Sequence, residues 1–533
     1  MKQLLHIAPI VFILSVPAGA SPVDQAALRK AAALPSVQFS LSANFNFAPG
    51  QFGTSTRAKR IASLEKSLQS NPANVAVRLE LCDLYSEASH GERSKRQAQK
   101  AVSLLKPQLS KHPNDPLLLA EMGEALTGVD KPEQALPLLR RATKMAPGNW
   151  RAWLVRGKAA QNRMWSNKLW GVKSSTHFEL NDISKIAEFF QQHKPTVQMQ
   201  KELASLSAEA TAAYDNAVTI APSRSELYSS RATFHVVSLF PSMFSVLANP
   251  KEQKVQEALG EKFKSAFESA SVDMWNAARL SPNNPDAWTY AIIVEFVFNA
   301  MLHASDIDQD TSGIWKSMDS DVQEKITKAT EVLERLSRVS DKAQAASVAT
   351  TLGTIYYMMD EAEKGEASLK RATSLSPTLD AAWEPLIGML LKDERWKDAL
   401  ELEKTWVRSR NTARVHLIMA KTYDKMGDWS NAKKEVNTAA TISGNDIEVK
   451  LAQAVIGIRS STSPTVVGRL LVEIKGKMGS KTTEDQKSSY AITRAVYLGL
   501  SGNVDEAKQI LAKIQEKDSD NESAKAAMDA LGS

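Results

Sequence analysis

Residues 116–148 read PLLLAEMGEALTGVDKPEQALPLLRRATKMAPG, and the spacing of the small residues in this stretch decides the fold. Met122 and Gly123 fall midway along a first helix-forming run, and Ala135 follows twelve residues after the glycine. Leu139, Ala142 and Pro147 then come at steps of four, three and five. Steps of three and four place side chains on one helix face. Gly123, Ala135 and Ala142 are small because two helix backbones approach closely there, and larger side chains would overpack the seam. Pro147 cannot continue a helix and marks the end of the second one.

The pattern recurs along the chain. Pro113, Pro147, Pro222, Pro282 and Pro377 mark time, the first two 34 residues apart, and Ala142 and Ala372 each precede one of them by five. Further units carry Gly353, Tyr356, Leu369 and Ala372; Trp383, Leu386, Leu390 and Ala399; Tyr423, Ala432, Val436 and Ala439; and Ala495, Leu498, Ala507 and Leu511. Trp153 with Gly157, and Trp288, open two more. The segments 57–69 and 75–105 fit more loosely, with Cys82 where glycine is expected. A period near 34 resembles the tetratricopeptide repeat, with Leu119 in place of its tryptophan and Leu126 in place of its tyrosine. The resemblance implies an all-α solenoid of stacked helix-turn-helix repeats wound into a right-handed superhelix. About eight to ten units would cover most of residues 57–531, with a short capping helix over 523–531.

Where the beat breaks, insertions are expected. Pro147 to Pro222 spans 75 residues, Pro222 to Pro282 spans 60, and Pro282 to Pro377 spans 95. The excess places insertions near 164–203, 236–264 and 298–323, between the two helices of three successive units. The first carries Trp165, Leu169, Trp170, Phe178, Phe189 and Phe190, the second Phe240, Met243, Phe244 and Phe263. Two readings stand: the insertions extend the helices and bury these rings, or the rings form a partner-binding ridge.

The expected organisation is a signal peptide over 1–20, a leader over 21–56, repeats over 57–163, repeats with insertions over 164–345, and C-terminal repeats with a cap over 346–533. Lys2, the apolar run Leu4 to Val16 and Ala18-Gly19-Ala20 before Ser21 form an export signal cleaved after Ala20. The address is therefore the periplasm or beyond, in a presumed Gram-negative bacterium. No cysteine stands at the cleavage point, which excludes lipid attachment there. A single cysteine, Cys82, allows no intramolecular disulfide and reads as a small buried hydrophobe. Residues 37–47 alternate apolar and polar, a strand pattern with no sheet to join. That segment would pack on the protein's own repeats, stay mobile, or add to a partner's sheet edge, the last being the less favoured. The most apolar later stretch, Ala291 to Leu302, contains Glu295 and is too short to span a bilayer.

Chemistry is sparse. The eight histidines form no H-E-x-x-H and no pairing with cysteine at metal-ligand spacing, and G-x-S-x-G, Walker and G-x-G-x-x-G patterns are missing. No catalytic, metal or cofactor-binding residue is assigned, and no enzyme is expected. Asp308, Asp310, Ser312, Gly313 and Asp319 stand at the spacing of an EF-hand loop, but aspartate replaces the closing glutamate. A solvated loop without calcium is the favoured reading. The net charge of +6 on 533 residues is mild and not blocked, which disfavours nucleic acid.

By the resemblance, positions two, five, nine, twelve and thirteen of each first helix face the groove. These are Arg151, Lys158, Gln161 and Asn162 in one unit and Arg414, Lys421, Asp424 and Lys425 in another, with Thr289, Ile293, Phe296, Thr350, Thr354 and Tyr357 between. The carboxylate clamp of chaperone-binding relatives is not reproduced. The leading function is a non-enzymatic exported scaffold or adaptor that binds a protein or peptide in the groove or on the aromatic insertions. The alternatives are an accessory subunit of an envelope polysaccharide-export or secretion apparatus, or an enzyme with its site hidden in the insertions.

Overall fold

The computed structural model describes residues 23–32, 54–88, 90–166, 169, 196–239, 253–302, 311–479, 482–518 and 521–532. The described residues form helices and no strand. In chain order these are α1 (Gln25–Ala31), α2 (Thr54–Ser70), α3 (Val75–Glu87), α4 (Gly91–Lys111), α5 (Pro116–Gly128), α6 (Pro132–Met145), α7 (Trp150–Met164) and α8 (Val197–Ile220). Then come α9 (Ser225–Val237), α10 (Gln253–Leu280), α11 (Pro285–Leu302), α12 (Thr311–Ser317), α13 (Ser320–Val339), α14 (Lys342–Met358), α15 (Ala362–Leu375) and α16 (Asp380–Lys392). The last are α17 (Trp396–Ser409), α18 (Ala413–Lys425), α19 (Trp429–Ser443), α20 (Ile447–Arg459), α21 (Pro464–Lys477), α22 (Glu484–Leu500), α23 (Val504–Lys517) and α24 (Glu522–Ala530). The chain is an all-α solenoid in which helical hairpins follow one another, each first helix packing on its own second helix and on the next hairpin. Helix α24 supplies the short terminal helix expected at 523–531.

The inner seam explains the small residues. A Cβ built on Gly123 would lie 2.5 Å from Leu139 Cγ, and one on Gly353 would lie 2.4 Å from Leu369 Cγ. Gly123 and Gly353 are thus each the floor of a slot filled by a leucine of the second helix, while Gly157 lies under the ring of Tyr214. At the hairpin starts, the proline carbonyl is also used. The indole Nε1 of Trp153, Trp288 and Trp383 donates to the oxygen of Pro147, Pro282 and Pro377, at 2.8, 3.2 and 2.8 Å. Where Leu119 cannot donate, Arg141 takes the Pro113 oxygen at 2.9 Å. Pro72, outside the beat read from the sequence, has its carbonyl bound by Arg78 in the same way at 3.1 Å.

The turn between the two helices of an uninterrupted pair is also repeated. Asp130, Asp360, Glu394, Gly427, Ser461 and Gly502 all have positive φ. The next residue in each case closes a six-to-one bond, from Lys131 N–H to Leu126 O at 2.9 Å through to Asn503 N–H to Leu498 O at 2.9 Å. This is the Schellman stop, which satisfies carbonyls left over at a helix end. In the units of α7, α9 and α11 the insertions stand in its place. Their second helices α8 and α10 run to 24 and 28 residues, against 14 for α6, so part of the inserted chain lengthens helices. Among the inserted aromatics within the described residues, Trp165 packs on the core and Phe263 stacks on Phe267 at 6.3 Å. Trp170, Phe178, Phe189, Phe190, Phe240 and Phe244 lie outside the described residues, as do residues 1–20 and 37–47.

The chain divides into two compact units, each described by itself. One consists of α2 to α15. In it α2 packs on α3 and also reaches α14, with Arg57 and Asp286 3.8 Å apart and Lys59 and Asp341 3.4 Å apart. Glu295, unexpected in so apolar a helix, is buried as an acceptor for Ser271 Oγ at 2.6 Å, Trp275 Nε1 at 2.6 Å and Lys325 Nζ at 3.2 Å. The other unit consists of α16 to α24 together with α1. No described helix is long and apolar enough to cross a membrane.

Candidate binding faces on the first helices

In the unit of α2 to α15, the first helices α3, α5 and α7 form an apolar trough of about 160 Å³. Ala76, Leu117, Ala120, Ala152 and Val155 line it. The small residues keep it shallow, while Leu117 leaves 57% of its surface open. Its charged rim is the Arg151–Glu124 pair, joined by two hydrogen bonds of 2.9 and 2.5 Å. Hydrogen bonding to Glu124 raises the Arg151 pKa.

The other groove residues expected in this unit are divided. Lys158 is half-buried and Asn162 exposed, while Gln161 Oε1 accepts from the buried Tyr214 hydroxyl at 2.9 Å. Phe296 corrects the expectation of an apolar anchor open to a partner. Its side chain is only 2% exposed and stacks on Trp315 at 5.9 Å, because α12 folds back over α11. Thr289 and Ile293 are buried with it. Thr350 and Thr354 return their hydroxyls to carbonyls of their own helix, and Tyr357 is half-buried.

The EF-like frame is also corrected in part. Asp308 and Asp310 lie outside the described residues, but 311–317 is helix α12, with Gly313 inside it and not at a sharp turn. Ile314 and Trp315 pack on the core, so residues 311–317 are helix and not a plain solvated loop. No group of three or more His, Cys, Asp or Glu placed to hold a metal occurs among the described residues. Cys82 is buried with its Sγ 3.2 Å from Ser94 Oγ, and burial pushes its thiol up to about 11.

In the unit of α16 to α24, the first-helix face is more deeply charged. Arg414 binds Glu384 by hydrogen bonds of 2.5 and 2.9 Å, while Lys425 is exposed. Lys421 is half-buried, and burial lowers its pKa to about 7 against the opposing pull of Glu448 and Asp485. Burial correspondingly raises the pKa of Glu448, with Arg414 and Lys421 opposing. Asp424, almost fully buried, pairs with Arg459. Behind this face Glu403 of α17 is fully buried and accepts from Thr422 Oγ1 at 2.5 Å. Burial pushes its carboxyl up to about 7, and its Oε2 has no hydrogen-bond partner.

This face also holds a helix that sequence reading did not foresee. Helix α1 packs on α20, α22 and α24, the first helices of two successive pairs and the terminal helix. Leu28 is fully buried there with Ala31 and Ala32. The signal was present: Asp24 is a strong N-cap residue before an Ala-rich run, and its Oδ1 accepts from the N–H of Ala26 and Ala27 at 3.0 Å.

No protein-family model and no curated protein matches the chain. Among solved structures it is similar to yeast Tom70, at 12% identity over 86% of this chain and 94% of that one, with a TM-score of 0.33. A tetratricopeptide repeat protein from Parabacteroides merdae aligns at 12% identity over 51% of this chain and 96% of that one, TM-score 0.33. YrrB, described as a TPR protein with an unusual peptide-binding site, aligns at 13% identity over 38% and 99%, TM-score 0.29.

Proposed function

We propose that this tetratricopeptide-like solenoid is an exported, non-enzymatic scaffold that binds segments of partner proteins on the faces made by its first helices. The observation that carries this reading is that one such face already holds a seven-residue helix, α1. Helices shorter than about 12–15 residues are marginal alone in water, so the order of α1 comes from the surface beneath it. The trough at Leu117 offers the same ingredients in the other unit: small residues, one open apolar side chain and a fixed ion pair at the rim. Export rests on Lys2, the apolar run and Ala18-Gly19-Ala20 alone.

The test is affinity capture from an extract of cells that produce the chain, comparing wild type, Leu117→Glu and a chain lacking residues 171–195. Leu117→Glu should weaken capture of the principal partner by about tenfold or more, while the deletion should leave it. Loss with the deletion and retention with Leu117→Glu would place the site on the aromatic insertion instead. N-terminal sequencing of the fractionated protein should find Ser21 first; an uncut chain retained in the cytoplasm would contradict export.

A further inference from the structure

We propose that the face formed by α20, α22 and α24 is a docking site for a short amphipathic helix, and that α1 fills it as an internal ligand that a partner segment must displace. The proposal rests on the reading of the first-helix faces as binding surfaces and names what one of them recognises. Helix α1 is held as a ligand is held, by an apolar anchor and by both ends of its backbone. Leu28 lies over Gly499, where a built Cβ would come within 2.9 Å of Leu28 Cδ2 and 2.5 Å of Leu531 Cδ2. Ala31 and Ala32, three and four residues on, complete the buried stripe, while Asp24, Gln25, Ala26 and Lys30 face outward. This spacing is how an amphipathic helix is read by a groove.

At the N-terminal end the Asp24 N–H donates to Ala530 O at 3.0 Å. At the other end Arg459 Nη2 donates to the carbonyls of Lys30 and Ala32 at 3.0 and 2.7 Å, taking up acceptors that a helix end leaves over. Arg29 returns a bond to Ile458 O at 2.9 Å. Arg459 is aimed by its pair with Asp424, one of the expected groove residues, so the helix-end contact is built into the face. Asp424 Oδ1 and Arg459 Nε are buried without a hydrogen-bond partner, which leaves the arrangement incompletely satisfied even with α1 in place. The only large apolar side chain α1 buries within its helix is Leu28. Attachment of such a segment relies on its covalent tether, which keeps its effective concentration high. A free segment with a better anchor can therefore exchange with it.

The probe is a fluorescein-labelled peptide of residues 21–34, titrated by anisotropy against the full chain and against full-length Leu28→Asp, in which α1 cannot fill the slot. The peptide should bind Leu28→Asp at least about tenfold more tightly than wild type, and the same peptide carrying Leu28→Asp should not bind. Circular dichroism checks that the variant is folded; should it not be, Ala31→Gln replaces it as a milder way to dislodge α1. Equal affinity for wild type and variant, or binding to neither, overturns the proposal. Capture that remains sensitive to Leu117→Glu after such a result would leave the broader reading standing.

Discussion

The first-helix faces of the two units use one step of the repeat in opposite ways. In the unit of α2 to α15, Glu124 at position nine of one first helix meets Arg151 at position two of the next, and the pair closes through two hydrogen bonds beside an apolar trough. In the unit of α16 to α24 the signs are reversed, Lys421 at position nine and Glu448 at position two, and burial shifts both toward their neutral forms. The first pair is a fixed rim that leaves Leu117 open. The second belongs to a buried charged wall that continues through Asp424 and Arg459 to the docked α1. The backbone scaffold sets where side chains meet, and burial decides whether they form a rim or a titrating wall.

Five substitutions probe the two units. The largest effect should come from the glycine seam of the α2 to α15 unit. Gly353→Leu and Gly123→Leu should each destabilise by about 1–3 kcal/mol in denaturant titration, because the new Cβ meets a leucine at 2.4 and 2.5 Å. Little change in either would mean the seam can open.

The next concerns Glu403, which only the α16 to α24 unit possesses. Its folded pKa of about 7 lies above the ordinary carboxyl value. The unfolded state therefore loses its proton first, and the stability contributed by Glu403 is full below about pH 4.5 and lost as pH rises through 7. Glu403→Gln should gain about 2 kcal/mol at pH 8 and nothing near pH 4. A gain independent of pH would mean the carboxyl does not titrate there.

Lys421 works in the opposite direction. Its folded pKa is depressed to about 7, so its contribution is full above the ordinary lysine value near 10.5 and lost as pH falls through 7. Melting temperatures of Lys421→Met and wild type should converge above pH 10 and separate toward pH 7, the variant being the more stable. A constant difference from pH 6 to 11 would contradict a titrating wall. The smallest effect should come from the hairpin turns: Glu394 has φ of 57°, and Glu394→Gly should stabilise by about 0.5–1 kcal/mol.

How much was legible follows from what repeats and from chemistry that repeats visibly. Gly123, Gly353, Ala135 and the prolines recur with fixed side-chain chemistry, and the hairpins they mark are in the structure. The turn that joins the helices recurs just as strictly, but its left-handed residue is Asp130, Asp360, Glu394 or Ser461 at four turns and glycine at two, so its conformation leaves no uniform letter. Phe296 was misplaced because the repeat frame cannot say that α12 will fold over α11. Arg151 and Arg414 are expected from the repeat frame to face the groove, but their glutamate partners sit 27 and 30 residues earlier, a pairing only the stacking of hairpins creates. Helix α1 was hidden for a related reason: its docking surface lies more than 400 residues away.

The claim that a first-helix face holds a helical segment is tested most directly by amide hydrogen exchange on the full-length protein. The N–H groups of Leu28 to Ala32 should be protected at a level comparable with α24, and Arg459→Ala should release them while leaving α18 protected. Exchange of Leu28 to Ala32 at the rate of a free peptide in the wild type would contradict the account.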